Sequence, residues 1–189
     1  GQNSTTWLDR NLGATQVATS STDAAAYGFY YQWGRGTDGH QLSSSNTTAT
    51  NATGSTPGHG NFITERSTPF DWRVPQHDNL WQGASGTNNP CPNGFRVPTE
   101  TELNSERSAF SPTNMSGAFA SSLKIPAAGY RSGENGNSVG VGTSAFLFSS
   151  TIATADGRYV RNVSIYGDSA SMRDTFRVHG INVRCIQKK

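Results

Sequence analysis

The chain has 189 residues, of which 33% are hydrophobic and 15% are charged, and its formal net charge is +2. Four Trp, six Tyr and nine Phe provide the apolar anchors of a folded domain, so the composition excludes a disordered protein. Apart from Lys188 and Lys189 the basic residues are scattered, and no apolar run approaches membrane-spanning length, which argues against nucleic-acid binding and membrane insertion.

The first half of the chain predicts short strands and long polar connections. Apolar and aromatic residues in segments 7–12 and 27–34 are typical of strands. Residues 41–60 contain almost no apolar side chain and predict a surface loop, after which core-forming sequence resumes at residues 62–63. Residues 71–98 are rich in Trp, Pro, Gly and Asn, which predicts ordered but irregular structure.

Helical patterns follow in the middle of the chain. Thr99 and Glu102 form the capping-box pattern, in which each side chain bonds the backbone N–H at the position of the other. The sequence therefore predicts a helix from Thr99 until Ser111 and Pro112, where the proline ends it. A weaker pattern predicts a second helix over residues 116–123.

From residue 124 onward the pattern predicts sheet. The predicted strands are 125–130, 145–150, 150–154, 158–166 and 176–186. Asp156-Gly157 indicates a two-residue hairpin turn, and Gly180 interrupts the apolar alternation of the last strand in the manner of a bulge. Polar loops are predicted at 131–142 and 167–175. We therefore expect an α+β fold with one domain over residues 1–189, and we expect that domain to be a monomeric part of a larger protein.

The two cysteines, Cys91 and Cys185, are far apart in the chain. Neither lies in a CxxC pair or near a histidine at metal-ligand spacing, which argues against zinc. The remaining alternatives are a reactive thiol and a disulfide that ties the middle of the chain to its last strand, and the disulfide is favoured. A disulfide is typical of extracellular or cell-surface proteins, and we expect that location here.

Motifs of common enzyme classes fail in this sequence. Residues 34–39 spell GxGxxG, but a Ser/Thr/Asn-rich loop follows where a dinucleotide-binding fold needs a helix. The four histidines form no HExxH pattern, and there is no nucleophile-elbow motif. The sequence therefore carries no local signature of these enzyme classes, while a Ser-His-Asp site whose members are distant in sequence stays open.

A series of short segments resembles the Fibrobacter succinogenes major paralogous domain, a surface and secreted module with a C-type-lectin-like fold. The matching segments are WLDRNLGA (7–14), YG (27–28), YQWGR (31–35), DGHQ (38–41), DWR (71–73), NLWQG (79–83), NPCP (89–92), GFRVPT (94–99), AGYR (128–131), SST (149–151) and VRC (183–185). Together they cover essentially residues 7–186. Phe148 stands where the family usually has Trp, so an aromatic side chain is kept.

Within that family, the chain is most similar to the peptide-binding domains of bacterial repeats-in-toxin adhesins. The resemblance implies calcium-dependent binding of the free C-termini of proteins on host or neighbouring cells. A lectin-type module that binds glycan is the alternative, although the tripeptides of the usual sugar-binding calcium loop do not occur. The segment 96–102 is also similar to formylglycine-generating enzymes, whose oxidase chemistry needs a cysteine pair that this sequence does not place together.

Calcium takes six to eight oxygen ligands, and the two polar loops of the second half provide candidates. The predicted metal ligands are Glu134, Asn135, Asn137, Asp168 and Asp174. Asp38, Asp71 and Asp78 are rival candidates, and ordinary solvated loop residues are the alternative to a metal site.

A peptide C-terminus needs a fixed donor and an aromatic wall. Arg131 could bond the carboxylate with both arms of its guanidinium, and Tyr166 or Trp33 could form the wall. The ligand face is therefore predicted to comprise Tyr130, Arg131, Tyr166, Ser169, Ser171 and Trp33.

Overall fold

The computed structural model of the chain describes residue 1, residues 4–153 and residues 157–187. It confirms the predicted α+β class. A short 3-10 helix (Ala24–Ala26) precedes two α-helices, α1 (Glu100–Ser108) and α2 (Met115–Ala120). The strands are β1 (Tyr31–Gln32), β2 (Thr47–Thr48), β3 (Phe62–Ile63), β4 (Phe95–Arg96), β5 (Tyr130–Arg131), β6 (Ser138–Val139), β7 (Ala145–Ile152), β8 (Tyr159–Ile165), β9 (Ala170–Phe176), β10 (Gly180–Ile181) and β11 (Ile186–Gln187).

Two of the sheets position the functional site. The longest strands form an antiparallel sheet in the order β7-β8-β9, and four two-residue strands form a sheet in the order β1-β10-β5-β6. The remaining strands pair as β4 with β11 and, in parallel, β2 with β3. Most of the other residues are in turns and extended loops, as the sequence predicts for its Gly- and Asn-rich segments.

The capping box at the start of α1 is present as predicted. The Thr99 hydroxyl accepts a bond from the Glu102 amide, and a Glu102 carboxylate oxygen accepts one from the Thr99 amide at 2.8 Å. Arg96 bonds both oxygens of the same carboxylate at 2.6 and 2.8 Å. The bonds from Arg96, together with those from Thr99, lower the pKa of Glu102 to about 2, so α1 begins with a fixed carboxylate.

The three-stranded sheet has two different faces, because successive side chains of a strand alternate. One face packs against α1 and α2, and its buried members include Leu147, Val163 and Ile165. The opposite face carries Phe146 and Phe148 on β7, which belong to a second core. This alternation decides which residues of β8 and β9 reach the site.

The second core contains three tryptophans among its aromatic side chains. Trp33, Trp72 and Trp81 are completely buried, and each indole N–H donates to a backbone carbonyl. Neutral indole donors that are satisfied in this way can be buried without a large desolvation penalty. The Trp residues are therefore structural anchors.

Cys91 and Cys185 form a disulfide, with Cα atoms 5.9 Å apart. The predicted pairing is thereby confirmed. The bond joins the irregular segment before β4 to the residue before β11, and those two strands pair next to it. The disulfide thus fixes the end of the chain onto its middle.

Several predicted strands are wrong in extent. The early segments 7–12 and 27–34 contribute only the Trp7 bridge to Ile186 and the short strand β1. Residues 176–186 are not one strand, since β9 ends at Phe176 and the chain then forms β10 and β11. The predicted loop 167–175 is wrong in most of its length, because it contains β9.

Gly180 lies within β10, where it pairs with Gln32 and Arg131 instead of forming a bulge. A Cβ at this position would lie 2.8 Å from the Phe62 ring and 3.0 Å from the Arg131 Cβ, so close packing requires glycine. The predicted Asp156-Gly157 turn lies partly outside the described residues, since Asp156 is not among them.

Candidate functional site

An open cavity of about 180 Å³ lies between the outer face of β7-β8-β9 and the sheet that contains β5 and β10. It combines aromatic, polar and charged side chains. The lining residues are Tyr130, Phe146, Asn162, Ser164, Tyr166, Arg173, Asp174, Thr175, His179 and Ile181. A second cavity, of about 230 Å³ around Phe29 and Leu42, is lined by no charged side chain. The first cavity is therefore the candidate site.

One wall of the cavity is a chain of aromatic rings. The rings of Tyr130 and Phe146 meet edge to face with centroids 5.1 Å apart, and Phe146 meets Tyr166 at 5.7 Å. His179 packs against Tyr130 at 5.2 Å. The two tyrosines are only half-buried, so the wall keeps apolar surface that a ligand can cover.

His179 contributes a neutral ring to this wall. Burial lowers the pKa of His179 to about 4. Its Nδ1 accepts a hydrogen bond from the Gly133 amide at 2.9 Å, which leaves the ring proton on Nε2. His179 is therefore an uncharged donor at neutral pH.

Arg173 provides the positive charge at the cavity. Its Nε donates to the Ser171 hydroxyl at 3.0 Å, and its guanidinium carbon lies 5.9 Å from the centroid of the Tyr166 ring. Nη1 and Nη2 donate to no other residue that the structure describes, and the side chain is exposed. The bond to Ser171 thus holds the guanidinium in place and leaves its two terminal NH2 groups free to donate.

Asn162 and Ser164 lie on the floor of the cavity, on the same face of β8. Asn162 pairs with Arg173 across the β8–β9 ladder, and Ser164 pairs with Ser171. The Asn162 amide nitrogen donates to the Ser164 hydroxyl oxygen at 3.0 Å, so the Ser164 proton stays free to donate elsewhere. The floor therefore offers donors next to Arg173.

Asp174 lines the cavity but does not place its negative charge there. Its carboxylate bonds Arg161, which also bonds Glu100 of α1 at 2.7 Å. Asp174 and Arg161 lie on the α1 side of the sheet, because their register positions alternate with those of Arg173 and Asn162. The net charge facing a ligand in the cavity is consequently positive.

The structure brings Tyr130 and Tyr166 together, as predicted, but not Arg131 and Trp33. The Arg131 side chain is buried, and it donates to the backbone oxygens of Leu42, Ser45 and Gly136. Trp33 is completely buried. Neither residue has surface for a ligand, and the arginine that lines the cavity is Arg173.

The predicted serines stand beside the cavity. Ser171 does not line it but holds Arg173 through the bond to Nε. Ser169 closes the β8–β9 turn, where its carbonyl accepts from the Tyr166 amide at 2.7 Å and its hydroxyl bonds Asp168. Ser169 therefore shapes the turn that carries Tyr166.

The structure separates Asp174 from the other four predicted calcium ligands. Asp174 bonds Arg161 on the opposite face of the sheet, and Asp168 is exposed in the β8–β9 turn. Asn135 bonds the Asn137 amide within the β5–β6 turn, and Glu134 lies in the same turn. Among the described residues no group of three or more His, Cys, Asp or Glu could hold a metal ion.

The rival aspartates are engaged elsewhere. Asp38 bonds Arg35 at 2.8 Å, and Asp78 bonds Arg177 at 2.5 Å. Asp71 is buried with the Arg177 guanidinium 3.9 Å away, and burial raises the pKa of Asp71 to about 6. Each of these carboxylates has a structural partner.

Sequence reasoning missed seven residues of the cavity: Phe146, Asn162, Ser164, Arg173, Thr175, His179 and Ile181. A signal was available for two of them, since Asn162 and Ser164 are polar positions on a predicted strand that is otherwise apolar at Val160 and Val163. Arg173 carried no such signal, because its segment is polar throughout and resembles a loop.

No protein-family model, curated protein or solved structure matches this chain. The resemblance to the paralogous domain therefore stays a prediction that depends on the sequence motifs. Within the part of the chain that the structure describes, no helix has the length and apolar character needed to cross a bilayer.

Proposed function

We propose that this chain is an extracellular ligand-binding module of a surface adhesin that takes the free C-terminus of a peptide into the cavity beside β9. The observation that carries the proposal is the Arg173 guanidinium, which is held by Ser171 above Tyr166 with two unused donor groups. An arginine fork is well suited to a carboxylate, because two parallel N–H groups match its two oxygens.

The rest of the cavity supports an anionic end followed by apolar side chains. His179 is neutral, and the Asp174 charge is directed to Arg161, so neither of these two cavity residues opposes a carboxylate at Arg173. Tyr130, Phe146 and Tyr166 offer apolar ring surface next to that charge. Capture of a terminal carboxylate is a recurrent mode of peptide recognition.

Binding rather than catalysis is part of the proposal. Both cysteines are joined in a disulfide, and Cys185 is completely buried. An oxidase of the formylglycine-generating kind needs an accessible thiol pair, so the arrangement of these two residues supports a structural role. A disulfide also supports the proposed extracellular location.

Calcium dependence is a separate clause of the proposal, and it is based on the family resemblance. Calcium also accepts amide and backbone oxygens, which the turns at 132–137 and 167–169 contain in number. We expect chelation to abolish peptide binding. If peptide binding persists in chelator and still requires Arg173, calcium dependence is wrong and recognition of the peptide C-terminus stands.

The experiment is a binding screen of the purified, oxidised domain on an array of peptides with free C-termini. The Arg173→Gln variant is expected to lose roughly tenfold or more in affinity, since a charge-assisted hydrogen bond contributes about 1.5–3 kcal/mol. Arg10→Gln is the matched control, because Arg10 bonds Asp9 outside the cavity. Equal binding by both variants would contradict the proposed site, and selective binding of glycans instead of peptides would favour the lectin alternative.

A further inference from the structure

Asn162 carries a buried hydrogen-bond acceptor without a partner. The residue is 1% exposed and lines the cavity. Its amide nitrogen donates to the Val163 carbonyl at 3.3 Å and to the Ser164 hydroxyl, but its amide oxygen accepts no bond from any residue that the structure describes. Buried acceptors are nearly always paired in folded proteins, because an unpaired one has lost its hydrogen bonds to water without replacement.

The unpaired acceptor of Asn162 lies next to the positive charge of Arg173. It lies opposite Arg173 in the β8–β9 register, and Cβ atoms of directly opposed residues are about 4.5–5.5 Å apart. The cavity floor thus presents a hydrogen-bond acceptor and a cation side by side. Asn182 also has a buried amide oxygen without a partner, but it does not line the cavity, so the unpaired oxygen alone would not define a site.

We propose that the Asn162 amide oxygen accepts the backbone N–H of the ligand's C-terminal residue while Arg173 bonds the carboxylate of that same residue. This inference depends on the proposed function and specifies which ligand groups the site reads. The amide nitrogen and the carboxylate carbon of a terminal residue are about 2.5 Å apart, because a single Cα joins them. Two adjacent cross-strand side chains can therefore reach both groups.

Asn162 and Arg173 together favour a ligand in which an N–H group is adjacent to a carboxylate. An inorganic anion would satisfy Arg173 and leave Asn162 unpaired. A neutral sugar hydroxyl could donate to Asn162 but would leave the guanidinium without its anion. A peptide terminus satisfies both, and the free Ser164 proton can bond a carboxylate oxygen as well.

The test replaces the last peptide bond of a binding peptide by an ester. The ester removes the N–H donor, keeps the carboxylate and adds no bulk. We expect the unaltered domain, with its disulfide intact, to bind the ester about tenfold more weakly than the amide. Equal affinity for the two peptides would overturn the inference without any protein variant.

A double-mutant cycle assigns the effect to Asn162. The Asn162→Ala variant should bind the amide peptide about tenfold more weakly than the unaltered domain does. It should bind the ester peptide as well as the amide peptide, because the acceptor of the N–H group is gone. Asn182→Ala is the matched control, in which the full ester penalty should remain. If replacing the amide by the ester weakens binding as much in Asn162→Ala as in the unaltered domain, the inference about Asn162 is wrong, while recognition of the C-terminus stands. If no free-carboxyl peptide binds at all, the inference and the proposed function are both wrong.

Discussion

Two arginines of this chain show how environment decides the role of a residue. Arg131 is buried, its guanidinium lies 4.2 Å from the Phe62 ring centroid, and its donors are used by backbone oxygens of neighbouring loops. Arg173 is exposed and is held by a single bond from Nε. The first arginine joins loops together, and the second is available to a ligand.

Exchanging each arginine for leucine should separate these roles. Arg131→Leu is expected to lower the free energy of unfolding by about 3 kcal/mol or more, because several buried carbonyl oxygens lose their donor. Arg173→Leu should change it by no more than about 0.5 kcal/mol, since the side chain is exposed. Urea denaturation of both variants measures this, and similar stability losses in the two would contradict the assignment.

The sequence could predict Tyr130 and Tyr166 as residues of the cavity but not Arg173. Tyr130 and Arg131 are neighbours on β5, so their side chains point to opposite faces of the strand. Only the three-dimensional pairing shows which face lines the cavity. Arg173 enters the site because β9 pairs with β8, and no local pattern near residue 173 announces that pairing.

Helix α1 is the element that the sequence predicts best, because its start depends on contacts within four residues. Thr99→Ala should lower the free energy of unfolding by about 1 kcal/mol, through loss of the N-cap bond to the Glu102 amide. Thr101→Ala is the matched control within the same exposed first turn and should be neutral or slightly stabilising. Thermal denaturation compares the two, and an equal loss in both would show that the cap does not hold the helix.

Strand β9 shows where local reading fails. Its residues Ser171, Arg173 and Asp174 have the composition of a loop, yet all seven positions from Ala170 to Phe176 pair with β8. Pairing with a neighbouring strand supplies the hydrogen bonds, so β structure depends on context more than on intrinsic preference. The reverse holds for residues 177–185, whose apolar positions suggest one strand but pack separately into the core.

At the scale of the whole molecule, the disulfide closes a loop with a sequence separation of 94 residues. In the chain-entropy model such a crosslink stabilises the fold by about 4–5 kcal/mol, because it restricts the unfolded chain. The Cys91→Ala/Cys185→Ala double variant should lose stability by that amount in urea denaturation. Chemical reduction of the unaltered domain is the parallel measurement, and a loss below about 1 kcal/mol in both would contradict a stabilising role.

Acidification should destabilise the molecule through two neutral histidines, the buried His40 and the half-buried His179. Burial lowers the pKa of His40 and of His179 to about 4, and each ring accepts a backbone N–H bond, from Gln32 and Gly133 respectively. The unfolded chain therefore binds protons below about pH 6.5 that the folded chain does not bind. The contribution of the two neutral histidines to the free energy of unfolding is therefore present above pH 6.5 and is lost as the pH falls towards 4.

Asp71 acts in the opposite direction over part of this range. Burial raises its pKa to about 6, so the folded state binds a proton below that pH before the unfolded state does. The stability gained from Asp71 is smaller than the stability lost from the two histidines. The free energy of unfolding should therefore fall as the pH is lowered from 7 to 4.5. Urea denaturation at several pH values measures it, and a constant or rising stability on acidification would contradict the neutral histidines.

The central claim is that the cavity beside β9 recognises a free carboxylate at the end of a peptide. The most direct measurement is a titration of one selected peptide in two forms, as the free acid and as the C-terminal amide, with the unaltered domain and with Arg173→Gln. The account predicts that the free acid binds tightly only to the unaltered domain and that the amide binds weakly to both. Equal affinity for acid and amide in the unaltered domain would contradict it.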